Sequence, residues 1–518
     1  MSKKAEGRFS ETFLIFPIHH NQERFNLNFK KSISNQSILL KLTASALLFL
    51  AVMGLVLQEN FSLVLEELTS KALGLFGGYY LYLGLGSVLL MVFLAIHPLS
   101  KIKLGGSQPE FGWVSWIAML YSTGMGGGLM LRAVQEPVFY FQNPPRSFVQ
   151  SKEIFALEYT FFHWGFTPWA FYGLMALLVA YNIYIKSGSA LSSSALLGKF
   201  TSPWLAGALD LLTVLCTLFG VVAGVGLGSR QLLEAISYWS GIQFSSQALI
   251  LPVFLVSFIA ILSAYFGVRR GIKLLSNINI GGASLLLLFA WIVGNKVESV
   301  TNMFFGVSNY LLEFFPMSLN YGIGKVENSF LKDWTYFYWA FWLSWAPFTG
   351  VFIARISKGR SIRELILGTL FVPAIGTFFW FSVFGTNGME LIETGRIEST
   401  AFSSIYSSLF TYFSLFPYPL LSKFIATGLV GIFLITSIDS AIFVLSIFLD
   451  EGKEEPRKRI RLFWGVSIFT FTAGVGWLGR EGILEAMSNL LILFALPFSF
   501  VFILLIIGFV RTLFTFKP

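Results

Sequence analysis

Apolar runs of roughly 18 to 25 residues recur along this 518-residue chain, separated by short polar stretches. A run of that length crosses about 30 Å of hydrocarbon as an α-helix. The pattern predicts twelve spans, at about 37–58, 76–97, 112–140, 160–185, 204–229, 247–267, 281–297, 334–356, 362–385, 420–449, 460–479 and 487–512. Composition agrees: 55% of residues are hydrophobic and 12% charged, against about 25% charged in a soluble domain. The fold class expected is an all-α polytopic membrane protein.

The polar connections sort by charge. One set carries Lys101, Lys103, Lys186, Lys199, Arg269, Arg270, Lys273, Arg355, Lys358, Arg360, Arg363, Arg457, Lys458, Arg459 and Arg461. The other holds Glu59, Glu66, Glu67, Glu390, Glu393 and Glu398. Basic connections stay in the cytoplasm, so an even number of spans puts the tails 1–36 and 513–518 there too. A bacterial inner membrane, with lipid around the spans, is the expected location. The net charge of +9 then reports orientation and gives no reason to expect nucleic acid. No cleavable signal peptide is expected in the polar first 36 residues, nor a basic sensor in the short last tail. Cys216 is the one cysteine, which excludes a disulfide framework. The connection 298–333 contains spaced apolar residues over 299–316, the pattern of an amphipathic helix lying along the outer interface.

Candidate chemistry sits inside the spans. "YSTGMGGGLMLRAVQEP" (121–137) gathers glycines in an apolar run. Irregular backbone at membrane depth survives only when buried in protein or lining a wet cavity. Freed carbonyls of such a segment, around Gly126, Gly127 and Gly128, can hold a cation or a substrate. The other reading is close helix packing through small residues. "WTYFYWAFWLSWAPFTGVFIARIS" (334–357) puts Trp342 and Trp345 on one helix face, roughly 12 to 16 Å into the span. "FFHWGFTPWAFYGL" (161–174) adds Trp164, Trp169 and Tyr172. Ring faces at mid-depth suit a quaternary ammonium group, which has no N–H to donate; an aromatic packing core is the bland alternative. Arg132 and Glu136 are four apart, the spacing of a helical ion pair, and an outer gate that recruits a carboxylate is the second reading. His163, Asp210 and Asp439 read as structural. An intramembrane enzyme would need clustered acid/base or metal residues; four histidines and one cysteine supply none, so enzyme activity is not expected.

Together these segments resemble the betaine/choline/carnitine transporter (BCCT) family over nearly the whole chain. The resemblance is carried by "GMGGGLM…EP", "HWGFTPWAFYGLMALLVAYN" (163–182), "WTYFYWAFWLSWAPFTGVFIARISKGRSIRELILG" (334–368) and "FLITSIDSA" (433–441). It implies a leucine-transporter-like fold: two leading helices (37–97), then two inverted five-helix repeats (112–297 and 334–512) joined by 298–333. It implies a secondary transporter for a small quaternary-ammonium or zwitterionic solute, of the betaine, choline or carnitine type. The alternatives are an ion-independent exchanger and a carrier of a sulfonium or taurine-like compound. Trp164, Trp169, Tyr172, Trp342 and Trp345 match the family's aromatic box, and Trp339 a tryptophan of the inner route. Phe433, Thr436 and Ser437, opposite Ser122 and Met125, match its sodium site; sodium is the coupling ion implied, with no other cofactor. A homotrimer touching through the connection helix is also implied. The chain departs from the pattern at Val221, Ala223 and Gly224, where hydroxyls of a second sodium site are lost. It departs again at Phe341, usually tryptophan, and at Arg132, usually aromatic.

Overall fold

The computed structural model describes residues 25–57, 60–106, 108–124, 126–186, 188, 193–197, 202–267, 269–450, 455–479 and 482–515. Every apolar run is helical, and several helices start on local signals. Ser151 and Ser202 accept from backbone N–H groups three residues on, and Ser361 forms a reciprocal cap with Glu364, satisfying amides that a helix start leaves free. Two helices lead, α1 (Phe25–Leu57) and α2 (Phe61–Ile96). The third predicted span is three pieces, α3 (Trp113–Gly124), α4 (Gly127–Arg132) and α5 (Gln135–Gln142). Then come α6 (Lys152–Trp164), α7 (Phe166–Tyr184), the short α8 (Ser193–Leu197), α9 (Pro203–Ser240), α10 (Ile250–Phe266) and α11 (Arg269–Val293). The connection holds α12 (Lys296–Leu312) and α13 (Phe314–Leu319). A turn, α14 (Asn328–Phe330), widens into a π-helical stretch over Leu331–Tyr336 and continues as α15 (Phe337–Ile356). The chain ends with α16 (Ile362–Glu393), α17 (Ser408–Ser414), α18 (Pro419–Leu449), α19 (Lys458–Gly479) and α20 (Ile483–Thr515). Among the described residues there is no strand, only an isolated bridge between Lys103 and Ser361.

Eleven helical stretches among the described residues are long and apolar enough to cross a membrane. The sequence predicts twelve. The third predicted span, 112–140, is not among them, because Gly126 adopts an extended conformation (φ −103°, ψ 175°) and divides it into shorter helices. Other differences lie at the ends. Glu66 and Glu67 stand on α2, and Glu390 and Glu393 on the last turns of α16, rather than in loops. The amphipathic segment expected at 299–316 is helical: Asn302, Gly306 and Tyr310 face inward, while Phe304, Phe305, Leu311 and Leu312 are exposed.

Helix pairing follows a pattern. α7 packs on α15 as α3 packs on α16; α9 packs on α20 as α11 packs on α18. α9 also meets α18, α10 meets α19, and α7 meets α16. Exchanging α3–α11 for α15–α20 maps these contacts onto one another, as two copies of one five-helix unit require. The α7–α15 contact leaves no room for added bulk. A Cβ on Gly350 would stand 2.6 Å from Met175 Cγ and 3.0 Å from the Ala176 backbone nitrogen.

Overpacking a core costs about 1–3 kcal/mol. Gly350→Val is therefore expected to lower the melting point of the detergent-purified protein, read by gel filtration after heating. Gly86→Ala, with nothing within 4 Å of the new methyl, leaves it unchanged.

Candidate functional site

The break at Gly126 opens a space between helices that a continuous helix would close. A cavity of about 220 Å³ lies there, bounded by α4, α6, α7, α9, α11, α15, α16 and α18. Gly126, Gly127 and Gly128 line it, with Trp164, Trp169, Tyr172, Trp342, Trp345, Phe433, Thr436 and Ser437. No atom lies within 4 Å of where a Cβ would stand on Gly126 or Gly127, so a side chain there would enter the cavity. Gly165 separates α6 from α7 at φ −91° and ψ −127°. A Cβ at Gly165 would sit 2.5 Å from Phe161 O and 2.9 Å from Tyr310 Oη. This tight corner lets Trp164, from the end of α6, meet Trp169 and Tyr172 of α7 around one space.

The rings meet mostly edge to face. Trp164 and Trp342 centroids are 5.0 Å apart at 74°, and Tyr172 and Trp342 are 6.1 Å apart at 86°. Trp169 meets Tyr172 at 5.5 Å and 83°. Such arrangements satisfy the aromatic quadrupoles. Trp164 Nε1 donates to Glu136 Oε2 (3.0 Å), Trp342 Nε1 to His163 O (3.0 Å) and Trp345 Nε1 to Gly220 O (3.2 Å). Trp169 Nε1 is buried and has no partner among the described residues. Three of these indoles thus spend their donor on protein, and the fourth keeps one free.

Some expected site residues lie elsewhere. Trp339 is outside the cavity, 1% exposed, packed on Phe162 at 5.3 Å and against Gly84 of α2. Each three-residue step along a helix turns back by about 60°, so from Trp345 to Trp339 the face has rotated away. Met125 and the side chain of Ser122 fall outside the described residues. The Thr436 hydroxyl donates to its own helix, at Ile432 O (2.9 Å) and Phe433 O (3.1 Å); its oxygen retains acceptor capacity. At Gly224 a Cβ would stand 2.8 Å from Trp345 Cζ2, so the indole occupies the space where a side chain would start. Asn279, Phe348 and Phe352 line the cavity without having been singled out. Asn279 was missed because the seventh span was expected to start at 281, whereas α11 starts at Arg269. Phe348 and Phe352 continue the Trp345 side of α15 three and seven residues on, a spacing the sequence does display.

The predicted Arg132–Glu136 ion pair does not form. Ala133 and Val134 between them keep right-handed helical dihedrals, and each of the two side chains takes other partners. Arg132 instead donates to Gln135 Oε1 (2.8 Å) and lies 5.1 Å from the Trp334 ring centroid. Glu136, fully buried, accepts from Trp164 Nε1 and from Tyr338 Oη. His163 Nδ1 is 3.7 Å from the other carboxylate oxygen. His163 itself bridges Tyr140 Oη (2.9 Å) and Thr335 Oγ1 (3.0 Å), the structural role its sequence context suggests. One carboxylate therefore joins a cavity wall on α6 to the neighbouring turn of α15.

Stripping a buried hydrogen-bond partner costs about 1–3 kcal/mol. Glu136→Ala is expected to release Trp164 and change tryptophan emission in the folded protein. Glu136→Gln, which keeps an acceptor oxygen, is expected to stay near the parent spectrum.

Comparison with known proteins then identifies the chain's relatives. The profile of the BCCT, betaine/carnitine/choline family transporters, matches residues 38–517. The glycine betaine transporter OpuD of Bacillus subtilis is 36% identical over 485 residues, covering 92% of this chain and 93% of that protein. Glycine betaine transporter 1 of Vibrio parahaemolyticus is 34% identical, covering 89% and 90% respectively. The high-affinity choline transport protein of Escherichia coli is 32% identical over 96% of this chain and 73% of its own length. A match of this extent makes the chain a member of the BCCT family, a multi-pass membrane transporter and not an enzyme.

Proposed function

We propose that this transporter takes up a small quaternary-ammonium or related zwitterionic solute, held by its onium head among Trp164, Trp169, Tyr172, Trp342 and Trp345. The observation that carries the reading is the orientation of these rings around one cavity, with three indole N–H groups turned into protein. Ring faces replace hydration for a cation that cannot donate, at about 0.5 to 2 kcal/mol per contact. The free Trp169 Nε1 suits an oxygen on the same solute, a carboxylate or hydroxyl. Relatives named for glycine betaine and choline support this solute class. Gly126–Gly128 leave the space the solute needs. Alternating access follows from one repeat (112–297) rocking against the other (334–512).

Sodium is the coupling ion in this reading, held by oxygens at Phe433, Thr436 and Ser437 facing the segment of Ser122 and Met125. Hydroxyl and carbonyl oxygens are hard ligands for a hard cation. A second reading, ion-independent exchange, is favoured by the Thr436 back-bonding and by the missing hydroxyls at Val221, Ala223 and Gly224. Both tails are assigned to the cytoplasmic side of a bacterial inner membrane from the charge of the connections. The exposed apolar face of α12 supports a homotrimer contact.

Uptake of labelled glycine betaine and choline into proteoliposomes tests these readings. Trp342→Ala and Trp345→Ala are each expected to weaken solute binding by about 2- to 30-fold; unchanged binding overturns the cage. A sodium gradient is expected to drive uptake in the parent protein and not in Thr436→Ala. Parent uptake indifferent to sodium establishes exchange instead.

A further inference from the structure

A second cavity, of about 540 Å³, opens from the first. It is bounded by α10, α15, α18 and the start of α19, and it shares Phe348, Phe352 and Ser440 with the aromatic cavity. Those three residues stand where the two cavities adjoin. Asp439 and Arg461 both line it. Asp439 is 5% exposed and its Oδ1 has no hydrogen-bond partner among the described residues. The Nε of Arg461 also lacks one, while its Nη1 donates to Ala264 O at 3.1 Å. No ion pair joins the two side chains among the described residues. The Arg461 guanidinium also lies 5.9 Å from the Phe443 ring centroid; of the other charges of the cavity, Arg457 pairs with Asp450 at 3.0 Å and Lys458 lies 5.2 Å from the Tyr265 ring. Arg355 and Glu455 have partners of their own.

Inside a membrane bundle, an unpaired charge is costly and marks a path or a binding site. Two opposite charges that sit in one cavity without touching would normally close on each other. A zwitterion between them satisfies both, with its onium at the carboxylate and its carboxylate at the guanidinium. We infer that this cavity is a second subsite for the transported zwitterion, Asp439 receiving its positive pole and Arg461 its negative pole. The inference rests on the zwitterion reading of the aromatic cavity. It adds a stage of charge-to-charge contact after the stage of ring contact, on the side where the basic connections lie.

Equilibrium dialysis of labelled glycine betaine against the purified full-length protein, up to millimolar concentration, tests it. The parent protein is expected to show a tight and a weak class of bound solute. Arg461→Gln and Asp439→Asn are each expected to weaken the weak class by about tenfold or more, with the tight class retained within about twofold because the sites are separate. The retained tight class also shows that each variant is folded. Trp342→Ala is expected instead to weaken the tight class by about 2- to 30-fold. A single class in the parent, or a weak class unmoved in both charge variants, overturns the second subsite while the cage stands. A tight class unchanged by Trp342→Ala overturns the cage reading; no binding at all overturns the zwitterion reading and the subsite with it.

Discussion

An indole N–H buried in a membrane bundle is stabilised when it finds an acceptor in the protein. Where it finds one decides which way the ring faces. Here Glu136, the carbonyl of His163 and the carbonyl of Gly220 take the donors of Trp164, Trp342 and Trp345. The rings are thereby fixed with edges turned into protein around a shared space. Remove those acceptors and the same residues become an ordinary aromatic core, free to rotate and fill the gap.

Two of those acceptors are backbone carbonyls, one beside the Gly165 corner and one on α9. Gly165 turns α6 into α7, which brings Trp164 beside Trp169 and Tyr172 and leaves the His163 carbonyl available to α15. Glu136 meets Trp164 and Tyr338 rather than Arg132. Gly220 and Gly224 of α9 allow α15 to approach so closely that Ser344 and Trp345 fill the positions of their absent side chains. Small residues and breaks, rather than polar side chains, thus set the shape of the cavity, in keeping with how membrane helices pack.

Membership of the BCCT family places transport on firm ground, and the two adjoining cavities give it a physical course. The first offers polarizable faces and a single free indole donor. The second offers full charges of both signs.

The linear order of residues was enough to determine the helical membrane class, the places of most spans, the amphipathic α12 and the cast of aromatic residues. Hydrophobic length and periodicity report these locally, and the motifs of the third, fourth, eighth and tenth spans carry the family. Tertiary structure alone decided which tryptophans share a cavity. Trp339 has the same chemistry as Trp342, yet three residues of helical rotation turn it into the α2 contact. It also decided the partner of Glu136, since helical spacing offers Arg132, whereas Trp164 and Tyr338 reach the carboxylate from α6 and α15. The placement of Asp439 and Arg461 in one cavity was equally invisible. They lie on different helices, and only the packing of α18 against α19 and α10 brings their charges into the same space.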